Sequence, residues 1–448
     1  MDFLLAGLIF AASLIFCLLR DRSLAWALAL TFAALLGCGL HRKKTLRELW
    51  DMVRGEMHGV LIVVRILCYV GLITGLWRSS GTIGFFIWYG MQVIPPRLFL
   101  LLAFVLAALL SYAIGTSFGV TSTAGIMLIA LARAGGVPVP IAAGVILSGV
   151  YFGDRGAPTS SCASLQAALA NVDHYTNVRS MLKTGALPLL LTLAVYTVLS
   201  LCHPIQTVDG TLLDALEAQF RITWLLVIPA VLMLVLPACR VPLRLCMGLS
   251  ALAAFLLTVL VQDVPLGSAL RIALFGYAPE GSLADVLSGG GFFSMVPTML
   301  LLLFAGGCTG LISGMELLTP VKTRLLRLSE RWGRFPAMLL ASLVSCMIFC
   351  NQTIAMIFCS ELMGETYPES GEGRQEFAAD LSCSVVTLAG LVPWCIACSV
   401  PLTMLGAGFD AVPYACYLYL IPICWFLTKR LFFPNAVKER KTAHEITP

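Results

Sequence analysis

The chain has 448 residues, of which 59% are hydrophobic and only 12% are charged. In soluble domains about a quarter of all residues are charged, so this composition excludes a soluble globular protein and indicates an integral membrane protein. The net charge of +5 does not indicate a nucleic-acid partner, since the basic residues form short clusters between apolar segments, where they set orientation in a bilayer.

Apolar segments follow one another along the whole chain. They lie near 3–19, 24–40, 59–77, 98–114, 119–132, 139–153, 185–202, 222–238, 242–262, 292–312, 335–350, 352–363, 381–400 and 411–428. Segment 3–19 has no basic region before it and a second segment follows at once, so we interpret it as a retained first helix and not as a signal peptide. Several segments are shorter than the roughly 20 residues of a crossing helix. The sequence therefore predicts an all-α polytopic membrane protein with about 10–13 transmembrane helices, some of them broken or re-entrant.

Three basic regions predict how the chain is oriented. They are the loop 41–58, the loop 316–335 and the tail after 428, with Arg42, Lys43, Lys44, Arg47, Arg54, Lys322, Arg324, Arg327, Arg331, Arg334, Lys429, Arg430, Lys438, Arg440 and Lys441. Basic loops next to membrane spans stay in the cytoplasm. We therefore expect both termini to be cytoplasmic in a protein of the cell inner membrane.

An internal repeat is indicated by landmarks that recur at one constant offset along the chain. This offset carries three landmarks of the first half onto the second: Thr74-Gly75 onto Thr309-Gly310, Thr116-Ser117 onto Asn351-Gln352, and Pro158 onto Pro393. Segment 59–77 leaves a basic loop, whereas its counterpart 292–312 runs into one, so the two copies cross the membrane in opposite senses. Inverted repeats with broken helices are typical of secondary transporters.

The repeat divides the chain into five parts. We predict N-terminal helices and a basic loop in 1–58, a first repeat in 59–202 and linker helices in 203–291. The second repeat then covers 292–430, and a cytoplasmic tail covers 431–448. All five parts belong to a single membrane domain.

The first polar interruption in each copy is "AIGTSFGVTST" (113–123) and "FCNQTI" (349–354). In lipid, unwound backbone is tolerated only where it is buried in protein or lines a wet cavity. Hydroxyl groups can also bond back to helix carbonyls, and we favour that interpretation for Ser111 and Thr123. For the other polar side chains we predict that they bind a transported ion or substrate. These are Thr116, Ser117, Asn351 and Gln352.

The second interruption is "YFGDRGAPTSS" (151–161) and its counterpart "DLSCSVVTLAGLVPW" (380–394). Gly153, Gly156 and Pro158 disfavour a continuous helix, and a break exposes carbonyl groups that can hold small ions. A charge at membrane depth is costly, so Asp154 is predicted to exchange a proton for a cation, with Thr159, Ser160 and Ser161 in the same polar chamber. The alternative is that Asp154 only neutralises Arg155.

These motifs together resemble the NhaC-type sodium/proton antiporters of the ion-transporter superfamily. The resemblance rests on "GTIGFFIWYG", "GTSFGVTSTAG", "AAGVILSGVYFGD", "NQTIAMIFCSE" and "LVPW", in order over roughly 60–200 and 295–410. It implies a secondary antiporter that exchanges protons for Na⁺, with some relatives coupling ions to organic acids or amines. The positions that match the family pattern are Asp154, Pro158, Ser160, Asn351, Gln352, Glu361, Pro393 and Trp394.

The chain also departs from the family pattern at positions that are usually acidic. Ser161 replaces a second aspartate, and Ser382-Cys383 stand where the family usually has a Glu-Asp pair. Asp380 lies about one turn before Cys383 and Ser384, so it could supply the missing charge along one helix face. Glu361, Asp380 and Ser384 are therefore also predicted to bind the transported ion or substrate. Asp380 could equally be a solvated member of the acidic loop 361–380.

The leading hypothesis is a proton-coupled Na⁺ antiporter that works by alternating access, and the alternative is an ion-coupled exchanger of small organic acids or amines. The expected partners are the lipid bilayer and the transported cation or solute, and the sequence leaves open whether the chain forms a homodimer. No cofactor is expected, since Na⁺ and H⁺ are cargo. No enzyme motif is present, and "CIAC" at Cys395 and Cys398 has no second ligand pair for a metal.

Overall fold

The computed structural model describes residues 24–205, 210–239, 241–315 and 332–433, with residues 9, 10, 12, 13, 16, 17 and 20 near the N terminus. Within these residues the regular secondary structure is helical, apart from one isolated bridge between Tyr277 and Gly289, and turns and short loops join the helices. The prediction of an all-α protein is confirmed. Most of segment 3–19, most of the basic loop 316–335 and the tail after Phe433 lie outside the described residues.

Twelve of the longer described helices precede residue 280. They are α1 Leu24–His41, α2 Leu46–Ser79, α3 Thr82–Val93, α4 Phe99–Ile114, α5 Ser117–Ala134, α6 Val139–Gly156, α7 Ser161–Ala170, α8 His174–Cys202, α9 Gly210–Gln219, α10 Ile228–Ala238, α11 Leu243–Leu260 and α12 Leu266–Phe275. Helix α5 contains one wide turn at Thr121–Gly125. Helix α2 begins with a capping box, in which the Thr45 hydroxyl accepts from the Glu48 N–H and the Glu48 carboxylate accepts from the Thr45 N–H.

The remaining long helices of the described chain follow residue 295. They are α13 Val296–Gly314, α14 Arg334–Phe349, α15 Gln352–Met363, α16 Gly371–Leu381, α17 Ile396–Leu405 and α18 Cys416–Phe432. After α16 the chain continues through a wide helical turn at Ser382–Val386 and a short helix at Thr387–Ala389.

Seven helical segments of the described chain are long and apolar enough to cross a membrane. They are Leu24–His41, Leu46–Ser79, Pro96–Ile114, Ser117–Ala134, His174–Cys202, Leu243–Leu260 and Phe292–Gly314. Shorter apolar helices, among them α7, α14 and α17, lie between them along the chain. The chain is therefore a multi-pass membrane protein, and the exact number of crossings stays a prediction.

Glycines let helices α4 and α6 approach each other closely. A Cβ atom added to Gly153 would lie 2.0 Å from the carbonyl carbon of Ser111, and one added to Gly149 would lie 2.6 Å from the Cβ of Ala107. Small residues at such contacts are how helices pack in membranes, where close van der Waals contact takes over the role of the hydrophobic effect. This packing fixes the end of α6, which carries Asp154.

Helix ends recur at the offset that carries Thr74 onto Thr309. Helix α4 spans Phe99–Ile114 and α14 spans Arg334–Phe349, while α7 spans Ser161–Ala170 and α17 spans Ile396–Leu405. Each bound in the second half lies at this same offset from its counterpart. The residues that end these helices match as well, since all four have left-handed backbone: Gly115, Cys350, Asn171 and Gly406.

Helices α2 and α13, which correspond at the same offset, run in opposite directions where they pack together. Gly71 of α2 faces Gly291 and Phe292, just before α13 begins. Further back along α2, Val60 faces Gly306, and Val53 faces Gly310. The contacts thus move forward along α13 as they move backward along α2. The two corresponding segments are antiparallel, as an inverted repeat requires.

Candidate functional site

The chain breaks between α4 and α5 where the sequence changes from apolar to hydroxyl residues. Gly115 has a φ of 79°, and a Cβ atom there would collide with the Thr159 hydroxyl at 2.3 Å, so glycine is required. Thr116 is then extended, with a φ of −145°, and Ser117 begins α5. The break leaves the first N–H groups of α5 without helical carbonyl partners.

The matching break in the second half lies between α14 and α15. Cys350 has a φ of 54°, and Asn351 is extended, with a φ of −138°. The Asn351 Oδ1 atom accepts hydrogen bonds from the N–H groups of Thr353, at 2.9 Å, and Ile354, at 3.4 Å. Asn351 therefore caps α15, and its Nδ2 group remains available to other partners.

The second break of the first half follows Asp154. Helix α6 ends at Gly156, and a short turn through Pro158 leads to α7. The Ser160 hydroxyl accepts from the N–H groups of Cys162 and Ala163 and donates to the Asp154 carbonyl oxygen. Ser160 thus joins the two helix ends.

These breaks surround a cavity of about 630 Å³. Its wall is formed by the first turns of α5, α7, α15 and α17, by Asp154 at the end of α6, and by residues 55–63 of α2. The structure brings six of the predicted site residues together here: Thr116, Ser117, Asp154, Ser161, Asn351 and Gln352.

Asp154 connects the two halves of the site. The residue is 9% exposed, and its carboxylate lies close to the Ser117 N–H and the Gln352 side chain. The Gln352 Nε2 atom also donates to the Cys162 sulfur, at 3.1 Å. The carboxylate therefore lies at the N terminus of α5, where the helix dipole stabilises negative charge.

Arg155 points away from this cavity. Its guanidinium donates to the Met181 carbonyl oxygen at 3.0 Å, to the Thr184 hydroxyl at 2.8 Å and to the Cys383 sulfur at 3.2 Å. The structure shows no ion pair between Arg155 and Asp154 within the residues it describes. The interpretation that Asp154 only neutralises its neighbour is therefore wrong.

Five predicted site residues do not line the cavity: Thr159, Ser160, Glu361, Asp380 and Ser384. Thr159 is exposed and packs against Gly115, while Ser160 caps α7 as described. Glu361 is exposed near the C-terminal end of α15, and the Ser384 hydroxyl donates to the Asp380 carbonyl oxygen at 2.6 Å. The structure gives these residues packing, capping or surface positions instead of a place in the cavity.

Asp380 belongs to a buried network of charged groups. Its carboxylate is fully buried and accepts from the Tyr367 hydroxyl at 2.6 Å, from the Trp425 Nε1–H at 2.7 Å and from Lys429. Lys429 also pairs with Glu376 at 2.7 Å. The interpretation of Asp380 as a solvated acid is wrong, and its carboxylate is occupied by three donors outside the cavity.

Sequence reasoning missed three residues that line the cavity: Glu56, His58 and Cys162. Glu56 and His58 lie in the segment that was predicted as a basic loop, whereas the structure continues helix α2 through it from Leu46. The spacing of Gly55, Glu56 and Gly59 on one helix face was the available signal.

The helix breaks meet at a buried carboxylate beside a cavity, and corresponding segments of the two halves are antiparallel. This arrangement is that of a secondary active transporter. A family model described as the Na⁺/H⁺ antiporter family matches residues 2–175 and 149–428. The chain belongs to the Na⁺/H⁺ antiporter family, and the predicted resemblance to NhaC-type antiporters is confirmed.

Three relatives illustrate the range of this similarity. The chain is 27% identical over 397 residues to a malate-2H(+)/Na(+)-lactate antiporter of Bacillus subtilis, covering 87% of this chain and 85% of the relative. It is 23% identical over 394 residues to the Na(+)/H(+) antiporter NhaC of Alkalihalophilus pseudofirmus, covering 85% of each chain. It is 28% identical over 278 residues to the arginine/ornithine antiporter ArcD of Halobacterium salinarum, covering 60% of this chain and 56% of the relative.

Proposed function

We propose that this protein exchanges Na⁺ for protons and that Asp154 is the residue that binds the two ions in turn. One observation carries the proposal: Asp154 is a largely buried carboxylate at the wall of the cavity, and Ser117 and Gln352, which lie close to it, come from the two halves of the chain. Placing a carboxylate inside a membrane protein costs free energy, so we interpret Asp154 as functional. Its oxygens can hold a proton or a cation but not both.

The residues around Asp154 suit a hard cation. Na⁺ prefers oxygen ligands, and the cavity offers the hydroxyls of Thr116, Ser117 and Ser161 beside the carboxylate. The Gln352 amide lies close to the carboxylate and is placed to orient it. Proton and Na⁺ compete for the same Asp154 oxygens, and this competition couples the movement of one ion to that of the other.

Alternating access follows from the arrangement of the halves. The matching helix ends and the antiparallel pair α2 and α13 support a first repeat in 59–202 and an inverted second repeat in 292–430. The cavity is lined by residues of 55–63 in α2, and the first turns of this helix belong to the basic segment 41–58, which we predict to be cytoplasmic. If the protein lies in the inner membrane with this basic segment in the cytoplasm, the cavity opens to the cytoplasm.

The test is the variant Asp154→Asn in everted membrane vesicles. Wild-type protein is expected to dissipate a preset proton gradient when Na⁺ or Li⁺ is added, and Asp154→Asn is expected to be expressed and inserted but inactive, because the amide cannot exchange a proton. Glu361→Gln is the matched control, since Glu361 is exposed and outside the cavity. Normal exchange by Asp154→Asn would place the coupling carboxylate elsewhere.

A second candidate function is the exchange of small organic acids, or of amines, coupled to ions. The N termini of α5, α7, α15 and α17 meet at the cavity and attract anions such as acids, whereas the carboxylates of Asp154 and Glu56 attract cations such as amines. The volume of about 630 Å³ is in the range of small-molecule sites. The malate and lactate named for one relative are the first solutes to test, by counterflow of labelled acid in the same vesicles.

A further inference from the structure

One face of helix α2 supplies a second carboxylate to the cavity. Gly55, Glu56, Gly59 and Val63 lie on this face and line the cavity opposite the helix breaks. Glu56 is half-buried, and its carboxylate makes no hydrogen bond or ion pair with any other residue that the structure describes. A Cβ atom added to Gly55 or Gly59 would meet no atom within 4 Å, so the space on both sides of Glu56 is open.

The charge of the cavity is set by few groups. Its titratable lining residues are Glu56, His58, Asp154 and Cys162, and none of the described lining residues is a lysine or an arginine. Two carboxylates therefore face one cavity with no fixed positive charge between them. A cleft lined by charge of one sign concentrates ions of the opposite sign.

We propose that Glu56 is a second cation-binding residue of the transport pathway, which draws Na⁺ into the cavity and passes it on to Asp154. The inference rests on the proposed Na⁺/H⁺ exchange and adds a residue to it. Glu56 lies three residues before the apolar segment 59–77, whereas Asp154 lies at the break after α6. Glu56 is half-buried and Asp154 is only 9% exposed, so Glu56 lies nearer to solvent, at what we take as the entrance of the cavity.

A structural role does not account for Glu56. A carboxylate that stabilises the fold has a partner, as Glu376 has in Lys429 and Arg334. Glu56 has none among the described residues, and its half-buried position keeps it in reach of an ion from solvent. Its neutralisation is therefore expected to leave folding unchanged and to alter how Na⁺ is bound.

The first experiment compares Glu56→Gln with wild type in the vesicle assay. Loss of one negative charge at the entrance is expected to raise the half-saturating Na⁺ concentration between about three- and tenfold, with the maximal rate retained. Glu56→Asp should restore most of the affinity. Asp51→Asn is the matched control, because Asp51 is an exposed acid on the same helix that does not line the cavity. A half-saturating concentration equal to that of the control would overturn the inference.

The second experiment has a readout other than transport. Dicyclohexylcarbodiimide reacts with protonated carboxyl groups in apolar surroundings, and mass spectrometry of the purified full chain locates the label. We expect labelling at Glu56 that Na⁺ or Li⁺ suppresses, both in wild type and in Asp154→Asn. Labelling that neither ion changes would overturn the inference. If wild type instead fails to exchange Na⁺ in vesicles while Na⁺ still protects Glu56, the proposed function fails and the binding role of Glu56 stands.

Discussion

The variant Asp380→Asn separates a structural role of this carboxylate from a role in transport. Oδ1 of Asp380 accepts from Trp425, and Oδ2 accepts from Tyr367 and Lys429. An asparagine has one acceptor oxygen, so at least one of these donors loses its acceptor, which costs about 1–3 kcal/mol for a buried group. Lys429 also loses one of its two anionic partners. Removing one partner of a buried ion pair costs about 3–5 kcal/mol of stability. We expect a loss near the lower end of this range, because Lys429 keeps Glu376 as a partner.

The measurement is thermal unfolding of purified protein in detergent, followed by the vesicle assay on the folded fraction. Asp380→Asn is expected to unfold several degrees below wild type and, when folded, to exchange Na⁺ normally. Glu372→Gln is the control, because Glu372 is an exposed acid on the same helix. The double variant with Lys429→Gln should lose less stability than the sum of the single variants, since the two residues contact each other. Wild-type stability together with lost exchange would refute the structural role.

Two further predictions concern helix packing and capping. Gly153→Ala should lower the unfolding temperature, because its Cβ would lie 2.0 Å from the Ser111 carbonyl carbon and force α4 and α6 apart, whereas Gly37→Ala, with no atom within 4 Å, should not. The Thr176 N–H bond to Asp173 at 2.8 Å lowers the pKa of this capping carboxylate at the start of α8. Its stabilising contribution is present above the usual aspartate pKa of about 3.9 and is lost as pH falls through the lowered value. If the unfolding temperatures of wild type and Asp173→Asn changed in parallel with pH, this prediction for Asp173 would be contradicted.

The helix breaks and six of the residues that line the cavity could be predicted from the sequence, because the causes of the breaks are local. A glycine followed by hydroxyl residues interrupts an apolar segment at Gly115, and the constant offset between the two copies locates the same break at Cys350. Thr116, Ser117, Asn351 and Gln352 line the cavity because they begin the helices that follow these breaks.

The rest depended on contacts that sequence patterns do not record. Asp380 is buried because Tyr367 and Lys429, 13 and 49 residues away, donate to it. The basic residues of 41–58 predict a loop that includes Glu56, whereas α2 starts at Leu46 with its own capping box. Ser161 is the first residue of α7, whereas Thr159 lies before the helix start, which the Ser160 cap sets.

The separation of Asp154 from Arg155 explains how a carboxylate can stay exchangeable beside a permanent cation. Consecutive residues on a helix point about 100° apart, so one side chain faces the cavity while the next faces α8 and Cys383. Arg155 is held by neutral acceptors, so protonation of Asp154 breaks no ion pair and releases no buried charge. The carboxylate of Asp154 therefore remains available for the proposed binding of a proton or Na⁺. Because either ion neutralises the carboxylate, replacing one by the other leaves the net charge of the cavity unchanged.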